Sequence, residues 1–182
     1  MGIDEAQQDF RRAYVGGGPG VLVSGLVWLA AAITAQSQGV GRGFAVLFIG
    51  RMIIHPVSTS LCRTMFGRSR EVTGNPLAGA ALESTIAMIG GLVTPWLLIP
   101  LRPDFVFPVA AIAAGTRYAL FKTIYGDRLF WLLACLMSGV GLLVIFGGAP
   151  MSLSTAFAIG GIEVIFAGLL LTRNLRSPPL TD

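Results

Sequence analysis

Five residues in this chain carry chemistry in places where it is costly to keep: Arg51, His55, Glu83, Arg117 and Glu163. Each stands inside a long apolar run, where an ionisable side chain is a functional-site hypothesis by default. Two arginines and two glutamates balance in charge, which leaves His55 as the group most easily titrated. Left unpaired at membrane depth each would cost several kcal/mol, so two buried ion pairs are the expected arrangement. The spacing sets Arg51, His55, Ser58 or Thr59, and Cys62 on one helical stripe. That stripe is expected to face Glu83, Arg117 and Glu163, with Arg117 partnering Glu163 and either Arg51 or His55 partnering Glu83.

These residues imply a polytopic membrane protein. Hydrophobic residues make up 54% of the 182 and charged residues 12%, about half the share of an ordinary soluble domain. The chain divides into six apolar stretches of helical length: about 20–35, 44–61, 77–98, 106–124, 129–146 and 152–172. The expected fold is all-α, a six-span transmembrane bundle over residues 16–173. A polar amphipathic segment precedes it (1–15) and a polar tail follows (174–182). Pro56 removes a helical donor beside His55 and predicts a break in the second span. Pro95, Pro100, Pro103 and Pro108 predict irregular backbone after the third.

Orientation is read from the cations. Arg11, Arg12, Arg63, Arg68, Arg70, Lys122, Arg128, Arg173 and Arg176 fall on one side, against Arg42 and Arg102 on the other. The positive-inside rule then places both termini in the cytoplasm. Counting ~1.5 Å per residue from the span ends puts all five ionisable groups within a slab on the order of 10 Å thick.

The net charge of +4 is spread over connections without interleaved aromatics, so basic loops explain it better than nucleic-acid binding does. Cys62 and Cys135 lack CxxC spacing and read as small hydrophobes. No GxSxG, HExxH or His/Cys cluster is present, and one histidine does not build a usual zinc site, so neither cofactor nor metal is expected. Gly16, Gly20 and Ser24, four apart, form a row suited to close helix contact and are the expected surface of a homodimer.

The polar amino terminus, the NPLA sequence Asn75–Ala78 opening a span and the glycine-rich helices resemble a family of small uncharacterised bacterial integral membrane proteins. That resemblance implies a bacterial inner-membrane location and supplies no catalytic residues. The leading functional expectation is transport of a small solute or ion through the titratable polar layer, with the lipid bilayer as surroundings. Two other readings stay open: buried charges that are only structural ion pairs, and an intramembrane enzyme or lipid-binding protein using His55 with Glu83 or Glu163.

Overall fold

The computed structural model describes residues 1–147 and 152–175; the expected tail from 176 onward, with Arg176, lies outside them. The chain is all-helical among these residues. α1 covers Ile3–Ala13, α2 Gly18–Gln38, α3 Val40–Thr64, α4 Leu77–Gly91, α5 Val93–Leu98, α6 Val106–Tyr125, α7 Leu129–Phe146 and α8 Ser152–Leu175. Six helical stretches are long and apolar enough to cross a membrane, α4 and α5 together forming one. This is a multi-pass membrane protein.

Pro100 and Pro103 lie in the expected irregular backbone between α5 and α6, whereas Pro56, Pro95 and Pro108 stand inside helices. α3 runs unbroken in helical assignment through Pro56. Pro95 and Pro108 each sit third in a helix, in α5 and α6, where the backbone N–H has no intrahelical acceptor to lose. The real interruption in the third span is at Leu92, whose N–H is shared between the carbonyls of Met88 and Ile89.

α1 is an amphipathic helix that buries Ala6, Asp9, Phe10 and Ala13, one face at helical spacing. A left-handed elbow follows. Val15, Gly16 and Gly17 have φ of 49°, 60° and 81°, a strained conformation for a β-branched residue. Glycine is required at 16, because a Cβ there would lie 2.1 Å from the Asn174 side chain. The elbow turns the chain from α1 into α2, and the start of α2 presses on the end of α8.

Two tightly packed groups result. In one, α2 lies between α3 and α8; in the other, α6 lies against α7. Small residues set both. A Cβ on Gly25 of α2 would fall 3.0 Å from the Gly160 carbonyl of α8, and one on Gly43 of α3 would fall 2.6 Å from the Ala31 carbonyl. Between helices in lipid, such close backbone approach supplies much of the association that hydrophobic burial supplies in water. Gly16 and Ser24 are buried by this packing, and Gly20 faces Ser58, so the row expected to form a dimer contact is occupied within one chain. Of the two cysteines, Cys62 is buried and Cys135 faces outward on α7.

The start of α2 and the end of α8 meet at one end of the bundle. Gly16 abuts Asn174, and Arg173 lies 3.8 Å from Asp127 in the α6–α7 turn. The 65–76 connection joins them through Tyr14 and Glu71. That end carries most of the basic residues.

The packing predicts a sharp contrast between two glycines. Gly43→Ala is expected to destabilise the protein by ~1–3 kcal/mol through overpacking against the α2 backbone. Gly139→Ala, with nothing within 4 Å of the added methyl, is expected to be neutral or slightly stabilising. Thermal unfolding of both variants in the same detergent checks this.

Candidate functional site

Glu163 of α8 is fully buried, facing Gly25 across the close α2–α8 contact. Its carboxylate is 3.6 Å from the guanidinium of Arg51, whose side chain is 1% exposed. The pair is held by Coulomb attraction, since neither carboxylate oxygen has a hydrogen-bond partner of normal geometry. The hydroxyls of Ser24 and Tyr118 approach the carboxylate without closing into such a bond. Arg51 also lies 5.5 Å from the centre of the Trp28 ring, a cation–π contact in a desolvated setting.

Arg117 arrives from α6 on the other side of Met88. The Met88 sulfur lies 3.9 Å from Arg51 Nη1 and 3.7 Å from Arg117 Nη1, so the two cations share one neutral, polarisable neighbour. Arg117 also donates to the Thr85 hydroxyl at 3.0 Å and stands 4.9 Å from the Phe121 ring centre. No described carboxylate lies within ion-pair distance of it. The cluster therefore holds two guanidinium groups and one carboxylate.

Arg117 lines a cavity of about 250 Å³. Ser24 of α2, Ser58 of α3, Thr85 of α4 and Tyr118 of α6 continue its wall, with Phe10, Phe121 and Tyr125 as apolar surface. Gly17, Tyr14 and Glu71 bound the end nearer the chain termini. α3 and α4 make almost no direct contact, so the wall is open between them, where His55 and Leu82 form the lips.

The five sequence candidates thus separate. Arg51, Arg117 and Glu163 come together. His55 is exposed at the cavity mouth, its ring centre 6.2 Å from that of Tyr14. Glu83 is exposed on the outer face of α4. The inward face of α4 is instead Leu77, Ser84 and Met88, with Thr85 beside them. The expected pairings change accordingly: Glu163 pairs with Arg51 rather than Arg117, and no described cation pairs with Glu83. Shared depth was the basis for pairing Arg117 with Glu163, whereas rotation about the helix axes decides the partner. Among the described residues no group of three His, Cys, Asp or Glu side chains is placed to hold a metal ion.

A latch that the sequence did not reveal closes the terminal end. Asp9 of α1 accepts from the Val72 N–H at 2.8 Å, from Asn75 Nδ2 at 2.9 Å and from Arg12 at 2.7 Å. Asn75 Nδ2 donates also to the Ala6 carbonyl, while Asn75 Oδ1 accepts from the Leu77 N–H and so starts α4. Tyr14 donates to Glu71 at 2.8 Å. Burial, then the Glu71 carboxylate, push the Tyr14 phenol upward, which keeps it a donor. Gln7 donates to the Thr123 carbonyl at 2.7 Å and Arg11 to that of Tyr125, satisfying the end of α6. The one local signal for the latch was NPLA, in which asparagine precedes a helix by two residues.

The chain belongs to the Family of unknown function (DUF7010), whose model matches residues 3–173. No curated protein and no solved structure matches it.

Two predictions follow from this geometry. Glu163→Gln is expected to destabilise by ~3–5 kcal/mol, since it strands Arg51 in the core. Replacing Arg51 and Glu163 together by methionine is expected to recover most of that loss, as paired unfolding curves would show. The second concerns acid. Burial raises the Asp9 carboxyl, but hydrogen bonds from Arg12, Asn75 and Val72 outweigh it and hold the group below its ordinary value. A depressed folded-state pKa contributes stability above the unfolded value of ~3.9 and loses it as pH falls further. The protection of the Val72 amide, its exchange rate relative to the intrinsic rate at the same pH, is therefore expected to fall below about pH 4. Asp9→Asn is expected to lack that protection at every pH.

Proposed function

We propose, for this member of a family without an assigned function, that it carries a small organic anion across the bilayer, anchored by Arg117. The observation that supports this is the unbalanced guanidinium at the inner end of a cavity. Glu163 is taken by Arg51, and among the described residues Arg117 is held by a hydroxyl, a thioether and an aromatic face. Its Nε has no partner and is sheltered from solvent. A planar cation with unused donors in low dielectric favours a carboxylate or similar anion.

The wall chemistry narrows the class. Phe10, Tyr118, Phe121 and Tyr125 offer apolar rings with polar edges, suited to a flat hydrocarbon body. At about 250 Å³ the space falls below the ~300–1,000 Å³ of drug-sized sites, so the ligand is small. An aromatic monocarboxylate fits these terms. Transport, rather than static binding, is favoured by where the cavity stops: it reaches from the Tyr14–Glu71 end to Arg117 inside the spans and ends at the Arg51–Glu163 layer. On this reading the segregation of basic residues puts the termini on the cytoplasmic side, in the bacterial inner membrane that the family resemblance implies. Arg51 and Glu163 are assigned a structural role, because neither lines the cavity. His55 and Glu83 are not required as acid and base.

Binding of acetate, benzoate and inorganic phosphate to protein in nanodiscs, followed by intrinsic fluorescence, tests the proposal. Benzoate is expected to bind best, and Arg117→Gln to weaken it by about 10–100-fold, as for one lost charge-assisted hydrogen-bonded contact. Proteoliposomes should show saturable benzoate flux that the same substitution removes. Binding of none of these anions, or binding indifferent to Arg117→Gln, rejects the anion site.

A further inference from the structure

We propose that a second copy of this chain seats on the α3–α4 face and closes the cavity mouth, each Glu83 pairing with His55 of the partner subunit. The inference rests on the missing wall and two stranded side chains, and it holds whether or not the cavity takes an anion.

Apolar exposure on α3 and α4 decides nothing, because lipid satisfies Met52, Ile53, Leu82 and Ile86 as well as protein does. Glu83 is another matter. It lies within the Leu77–Leu98 span, is exposed, and makes no side-chain hydrogen bond or ion pair among the described residues. Acyl chains offer it no partner, and a carboxylate left there costs several kcal/mol. His55 is the complementary group. It is exposed on the other lip of the mouth, inside the Val40–Thr64 span, and its imidazole likewise has no hydrogen bond among the described residues.

Their depths agree. Both α3 and α4 reach the same end of the bundle, joined there by the 65–76 connection. Counting from Thr64 and from Leu77, His55 and Glu83 lie ~14 Å and ~9 Å from that end at ~1.5 Å per residue, a difference that side-chain length spans. A two-fold axis along the bilayer normal brings Glu83 of each copy to His55 of the other, and the same contact repeats by symmetry. The surface beside Glu83 permits the approach. Gly79 and Ala87, one turn before and after it, are both exposed, and nothing lies within 4 Å of a Cβ built on Gly79. Small residues flanking a polar one are what a helix contact in lipid uses. Once seated, the partner supplies the wall that α3 and α4 leave open and restricts access to the Tyr14–Glu71 end.

The test uses full-length chains with Cys62→Ala and Cys135→Ala as background. Two differently tagged copies, one carrying His55→Cys and the other Glu83→Cys, are co-expressed and oxidised in native membranes. A disulfide-linked heterodimer is expected. A control with Leu143→Cys on the exposed face of α7 should give none. Without the cysteine changes, single-molecule photobleaching in liposomes should count two subunits, and Glu83→Gln should weaken the dimer by about ten-fold while each monomer stays folded. Monomers at every protein-to-lipid ratio overturn the proposal. So does a dimer linked only through α7, or a Glu83→Cys copy that captures a different protein.

Discussion

The attraction between Arg51 and Glu163 is the constraint on which the interior depends. A carboxylate with no exposure in a protein surrounded by lipid has no solvent to fall back on. Its partner must come from another helix, and α3 supplies it past α2. That requirement explains why α2 is thin at this level. Gly25 faces the Cβ of Glu163, and a side chain there would hold α2 away from α8. Removing bulk from α2 lets α3, α2 and α8 close around one ion pair, with Trp28 covering the cation.

The same pair determines what Arg117 can be. One carboxylate serves two guanidinium groups that share Met88, so the nearer arginine takes it and the other keeps its charge. Protein contacts to Arg117 are neutral, and together they position the group without discharging it. Breaking even with a neutral or acidic residue at 117 would have been the simpler arrangement for a purely structural core. The excess cation is found instead where the two packed groups, α2–α3–α8 and α6–α7, meet at a cavity. Charge and free volume coincide at the seam, and that coincidence separates Arg117 from Arg51.

How much of this could be read beforehand varied with the physics involved. The six spans were legible to within a few residues, because hydropathy over about 20 residues is a sum that single substitutions hardly disturb. Which helices carry the ionisable groups was legible too, but shared depth was no guide to partners, since Glu163 pairs with Arg51 rather than Arg117. Rotation about each helix axis was not legible. In a soluble helix the polar face marks the outside, but in lipid the outside is as apolar as the core. Glu83 and Ser84 are adjacent, and nothing in the sequence says that serine points in and glutamate out. Thr85, Met88, Trp28 and Phe121 carry no membrane-specific signal at all, yet they complete the surroundings of both arginines. The α1 latch escaped for a different reason: Asp9 and Asn75 are joined across 66 residues, and their types are those of ordinary caps and surface charges.

α1 also shows why the polar amino-terminal segment belongs with the cavity. Gln7 and Arg11 close the carbonyl end of α6, Asp9 and Asn75 fix the start of α4, and Tyr14 holds Glu71. Those contacts reach two helices that line the cavity, α4 and α6, and the connection between α3 and α4. α4 itself packs weakly: it leans on α6 and scarcely touches α3. Its position at the terminal end is therefore set by the buried hydrogen bonds of Asp9 and Asn75, and its middle by Met88 and Thr85 beside the arginines. α1 also gives Phe10 to the cavity wall, so the contacts that fix the start of α4 also shape the cavity at its Tyr14–Glu71 end.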